Sequence, residues 1–94
     1  MKLFWTARAL RDIANIDQWL TQHASQQLAI DQLERVRQRA RQLRNFPSLG
    51  PHVEGGTRSV RVAKTPYVLA YRINDDLIEI LRIHHDRQNW RPPE

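Results

Sequence analysis

The chain has 94 residues, 40% of them hydrophobic and 27% charged, with a formal net charge of +5 and a sequence pI of about 10.7. That length supports one small core, so function must sit on a single domain spanning residues 1–94. With no cysteine there are no disulfide staples or thiolate sites, and four scattered histidines do not replace them, so neither metal nor cofactor is expected.

Lys2 to Trp5 is short, apolar and aromatic, which suits an N-terminal strand, and Thr6 stands where an N-cap opens a helix. Leu10, Ile13, Ile16 and Leu20 follow at helical spacing, with Asp12 and Asp17 on other faces, predicting an amphipathic helix of about four turns. His23-Ala24-Ser25 interrupts the pattern, and Ser25 is a second N-cap. The next stripe is Ala29, Leu33, Val36, Ala40 and Leu43. This second helix is expected to end at Phe46, because Pro47 disfavours helical geometry in the residue before it. Two amphipathic helices joined by so short a link make an antiparallel hairpin.

Residues 47–56 hold all three glycines and two of the five prolines, and read as a loop. The period then changes to two. Arg58, Val60 and Val62 alternate with Ser59, Arg61 and Ala63; Lys64-Thr65-Pro66 turns the chain into a strand from Tyr67 to Ile73. Asn74-Asp75-Asp76 is a tight turn. Leu77 to Ile83 is almost continuously apolar, which suggests a central strand covered on both faces. Arg91-Pro92-Pro93-Glu94 is expected to fray. The fold class is α+β: an N-terminal strand, a helical hairpin, then a three-stranded antiparallel meander with the helices on one face of the sheet. No apolar run approaches a membrane span and no leader precedes the first strand, so a cytoplasmic protein without membrane contact is expected.

Lys64-Thr65-Pro66-Tyr67-Val68-Leu69-Ala70-Tyr71-Arg72-Ile73, Asp76, Ile78-Glu79-Ile80-Leu81-Arg82-Ile83, His85 and Trp90 resemble the end of toxins of the RelE/ParE superfamily. Upstream, WTARALRDIANI is similar to that superfamily's first strand and helix start, and FPSLGPHVEGGTRSV to its proline-bearing link. The resemblance implies the toxin of a type II toxin–antitoxin pair. It also implies a cognate antitoxin, ParD-like and of the ribbon-helix-helix type, through which alone operator DNA is contacted.

Two activities share that scaffold: ribosome-dependent cleavage of mRNA, and poisoning of DNA gyrase. Cleavage requires a base for the 2′-hydroxyl, cations for the phosphate and an acid for the leaving oxygen. The resemblance puts Val68 where a ribonuclease has an arginine, Asp86 near a second arginine and Trp90 near a tyrosine. The ParE-like branch is therefore favoured, with no catalytic residue expected. Should the chain be a ribonuclease, Arg61, Arg82, His84 and His85 are the candidates, a histidine being suited to proton transfer near neutrality. A non-toxic binding module is the third class.

Thirteen of the fifteen basic residues are arginine, suited to bidentate pairing with acidic partners. Arg37, Arg41 and Arg44 form a stripe on the second helix. With Arg58, Arg87 and Trp90 they are the candidates for binding antitoxin or target. Trp5 and Trp19 are expected to be core or half-buried, and Tyr67 and Tyr71 to pack from one strand face. Glu79, which by alternation shares a strand face with Leu81 and His85, is read either as the carboxylate of a ribonuclease site or as the ion-pair partner of Arg72.

Overall fold

A computed structural model describes residues 1–88. The elements run β1 (Lys2–Trp5), α1 (Ala7–His23), α2 (Gln26–Leu43), a single 3-10 turn (Glu54–Gly56), β2 (Arg58–Arg61), β3 (Tyr67–Asn74) and β4 (Leu77–His85). Both expected caps form: the Thr6 hydroxyl accepts from the Ala9 N–H, and Ser25 accepts from Leu28. Each satisfies one of the amide donors that a helix start leaves without a partner. Thr6 does more, because its hydroxyl also donates to the Ile80 carbonyl at 2.8 Å, anchoring the start of α1 to β4.

The sheet order is β1-β4-β3-β2; β2, β3 and β4 form the antiparallel meander, and β1 adds in parallel beside β4. The two-residue turn between β3 and β4 puts Asp75 at φ 56°, a left-handed conformation that aspartate tolerates better than most residues. The helices pack on one face. Val36, Ala40 and Leu43 of α2 and Ala9 of α1 meet Val60, Tyr67, Leu69, Tyr71, Ile78, Ile80 and Ile83, with Leu3 and Trp5 at the margin. Tyr71 also locks the loop of residues 47–56 down: its hydroxyl donates to the Pro47 carbonyl at 2.7 Å and accepts the Gly50 N–H at 3.0 Å. A Cβ at Gly50 would lie 2.5 Å from the Ser59 carbonyl oxygen, so only glycine fits that approach.

Several expectations change. The stripe of α2 is buried at all five positions; on α1 Leu20 is buried and Ile13 and Ile16 pack against the core, but Ala9 is buried in the first turn while Leu10 is 54% exposed. The Thr6 anchor sets the rotation of α1 about its axis, which turns Ala9 to the sheet. Trp19 is likewise on the surface, 57% exposed, stacked on His23. The second helix stops at Leu43, three residues before Phe46. Arg44 and Asn45 donate to the carbonyls three residues back, so the last turn tightens before the proline is reached.

The apolar run of β4 has a different cause from burial on both faces. Tyr71 pairs with Ile80 but Ala70 pairs with Arg82, so Leu81 is an extra residue in β4, a bulge. Alternation therefore changes phase at Leu81. Ile78 and Ile80 face the helices before it and Ile83 faces them after it, so apolar residues fall at both odd and even positions. The same shift separates Glu79 from His85: Glu79 lies on the helix-free face, paired with Arg72 at 3.2 Å, and His85 lies on the helix face beside Tyr67.

Candidate functional site

Among the described residues α1 borders a groove and a cleft. The first lies between β1, the start of α1 and α2. Leu3, Trp5, Leu10 and Ile13 supply apolar lining, and Arg37 and Arg41 stand along it, in a groove of about 200 Å³. Arg41 is paired with Glu34 at 2.9 Å, with both side chains about half exposed, and Arg37 makes no ion pair among the described residues. An exposed pair of that kind contributes at most about 1 kcal/mol, so Arg41 can exchange its partner readily. Arg44, the third member of the stripe, turns to the Met1 carbonyl at 3.3 Å. The register of the helical arginines thus brings two of them, not three, to the groove.

The second depression is a cleft of about 550 Å³ between α1 and the end of β4. It exists because β1 pairs with β4 only as far as Ile80, leaving residues 81–85 without a neighbouring strand on that side. Side chains close this edge. Asp12 of α1 accepts from Arg82 Nε at 2.8 Å and from the Ile83 N–H at 3.0 Å, while Arg82 also reaches its other oxygen at 3.2 Å. Gln88 accepts the His85 N–H at 2.8 Å. Asp12 was placed only on a polar helix face by its spacing, and this role as the link between α1 and β4 had no local signal, since its partners lie about seventy positions away.

The four ribonuclease candidates do not form one site: Arg61 and His85 both reach the Asp86 carboxylate, while Arg82 is held apart by Asp12. Arg82 and His85 line the cleft on the helix side, whereas Arg61 pairs across to Val68, which pairs in turn with His84, on the helix-free face. Both arginines are engaged by carboxylates: Arg82 by Asp12, and Arg61 by Asp86 at 2.8 Å. That hydrogen bond from Arg61 holds the Asp86 carboxyl below its ordinary value, with the charges of Arg61, His85 and Arg87 adding to it against partial desolvation. His85 sits between Asp86, at 3.1 Å from Nδ1, and the Arg87 N–H, which donates to the same nitrogen. His84 Nδ1 meets the His85 carbonyl at 3.1 Å. Burial pushes the Tyr67 phenol up from its ordinary value, so it stays protonated.

Of the remaining binding candidates, Arg58 is engaged internally: it donates to the Gly50 carbonyl at 2.8 Å and meets His52 at 2.9 Å, tying the 47–56 loop to β2. Arg87 is exposed next to the cleft, and Trp90, like the tail expected to fray, lies outside the described residues. Among the described residues no cluster of three or more His, Asp or Glu side chains could hold a metal ion. No helix there is long and apolar enough to cross a membrane.

Comparison with known proteins agrees with this architecture. A family model described as the ParE toxin of type II toxin–antitoxin systems matches residues 3–90. "Putative toxin Y4kP" of Sinorhizobium fredii is 31% identical over 90 residues, covering 95% of this chain and 92% of its own. Toxin RelE2 of Caulobacter vibrioides is 32% identical over 87 residues, covering 89% of this chain and 93% of its own. A structure described as the chromosomal ParDE TA system from P. aeruginosa shares the fold, with a TM-score of 0.82 at 23% identity over 90% of this chain and 95% of the other. The chain belongs to the ParE toxin family of type II toxin–antitoxin systems.

Proposed function

We propose that this toxin acts as a ParE-like inhibitor of DNA gyrase, without covalent chemistry of its own, and so blocks replication. The observation that carries this reading is the hold of Asp12 on Arg82, a two-point pair with both side chains mostly buried, which commits the cation beside the cleft, while Arg61 and His84 lie on the helix-free face. Phosphate cleavage requires cations directed at one reacting centre, and an arginine already neutralised by a hydrogen-bonded aspartate stabilises little added negative charge. Val68 occupies the helix-free face opposite Arg61, where an apolar side chain offers nothing to a phosphate. The likeness to RelE2 supports ribosome-dependent mRNA cleavage as the competing reading.

The arginine-lined groove supports a second element of the proposal, a cognate antitoxin that neutralises the toxin by laying an acidic and apolar segment across Leu10, Arg37 and Arg41. Apolar surface exposed in free toxin and covered in the complex is what an obligate partner supplies. A ParD-like antitoxin would carry operator binding, and both partners would meet in the cytoplasm, whether the pair stabilises a plasmid or sits on a chromosome. The test is incubation of purified toxin with gyrase and supercoiled plasmid, beside ribosomes programmed with mRNA. Trapped, gyrase-cleaved plasmid with intact mRNA is the expected result. mRNA cleavage without trapped plasmid overturns the reading, and neither activity would mark a non-toxic binding module.

A further inference from the structure

The cleft between α1 and the end of β4 has no part in the proposed inhibition, yet it has the features of a binding site. Its volume of about 550 Å³ lies within the range of ligand pockets, which combine apolar walls with a few convergent polar groups. Ile16, Leu20, Pro66, Ile83 and the ring of Tyr67 are the apolar surfaces. Trp19, which also lines the cleft, is stacked on His23, with centroids 4.6 Å apart and planes 16° from parallel, and is 57% exposed, an aromatic plate held in place with much of its surface uncovered.

Two further observations define what would enter. Gln32 lines the cleft, and its Oε1 is buried with no hydrogen-bond partner. Buried acceptors are nearly always paired, so an orphan at a cleft marks the place where an incoming group supplies a donor. The last torsion of a glutamine is soft, so the amide can turn to meet it. The charges are closed as well. Among the described residues Asp12 is the one carboxylate in the lining, and its oxygens already accept from Arg82 and from the Ile83 N–H. That leaves no uncommitted anion for a lysine or arginine, and the net charge of +5 opposes a cation further. Arg82, held by Asp12, is not available to a phosphate either, which disfavours a nucleotide.

We propose that this cleft is a socket for a tryptophan side chain presented by a partner protein, its ring lying between Trp19 and the apolar walls and its N–H donating to Gln32 Oε1. The assignment does not depend on which target the toxin attacks. A probe that measures binding alone therefore separates its failure from failure of the gyrase reading.

The experiment is an NMR titration of the isotope-labelled full-length toxin with N-acetyl-tryptophanamide, and with the phenylalanine and arginine analogues and adenosine for comparison. Saturable shifts of the Gln32 side-chain amide and the Trp19 indole are expected. Gln32→Met should weaken the tryptophan probe about three- to tenfold, the effect of one neutral hydrogen bond, and leave the phenylalanine probe unchanged. Trp19→Ala, at an exposed position, should weaken both aromatic probes. Gln32→Met should also raise the melting temperature of the free toxin, because it removes an unpaired buried oxygen. Shifts confined to other surfaces, equal losses for both aromatic probes or a lowered melting temperature on Gln32→Met, or tighter binding of the arginine probe or of adenosine would each overturn the assignment.

Discussion

The arginines of α2 and those of the C-terminal half of the sheet have the same chemistry and opposite situations. On α2, Arg37 lacks an ion pair among the described residues and Arg41 has only an exposed one, beside apolar side chains that face solvent. On the sheet, Arg61, Arg72 and Arg82 are each matched to a carboxylate, Asp86, Glu79 and Asp12 in turn. Arginine count is therefore a poor guide to where an anionic partner binds. Uncommitted charge beside an apolar groove is found on the helix, whereas the stretch whose residues suggest catalysis uses Arg82 to hold β4 to α1.

This contrast can be broken most forcefully at Asp12. Asp12→Ala leaves Arg82 and the Ile83 amide without their acceptor at a largely buried position, and should cost about 2–4 kcal/mol, read from urea unfolding midpoints. Next in size is the opposite case. Arg37→Glu with Arg41→Glu should leave stability within about 1 kcal/mol, since only an exposed pair is lost. The same pair of changes should weaken antitoxin binding tenfold or more, by calorimetry, with reduced dependence on salt. Arg61→Ala on the sheet should then cost no more than about 1 kcal/mol, because that arginine is mostly exposed, and should leave growth arrest intact.

The smallest expected effect is on acid stability. Asp86 has a lowered pKa in the folded chain, so its contribution is present above the unfolded carboxylate value and is lost as pH falls through the folded one. Melting temperatures followed from about pH 5 downward should show the native protein losing this increment, while Arg61→Ala, already without the main cause of the shift, loses less over that window. Equal acid sensitivity in the two proteins would mean that the Arg61–Asp86 bond adds nothing to the fold.

Local regularities made most of the fold legible. The alternating steps of four and three from Ala29 to Leu43 describe a buried stripe, and Thr6 and Ser25 cap as their chemistry requires. Leu10 was misread because periodicity gives the spacing of a stripe and not its rotation, which here follows from the Thr6 bond to Ile80. The bulge at Leu81 carries no glycine to mark it, and once it intervenes every face assignment beyond it inverts, including that of His85. Candidate site residues were legible as types only. Whether an arginine is uncommitted or neutralised depends on partners such as Asp12 for Arg82, seventy positions away, and no spacing within a single strand contains that information.

The central claim is that the histidines and Arg61 of the C-terminal stretch are dispensable for toxicity because they do no chemistry. The most direct test is induction in cells of the native toxin beside an Arg61→Ala, His84→Ala, His85→Ala variant, with DNA damage and mRNA integrity followed together. Native toxin and variant should both arrest growth with DNA damage and intact mRNA. Rapid mRNA loss with the native toxin, abolished in a variant that remains folded, would contradict the claim.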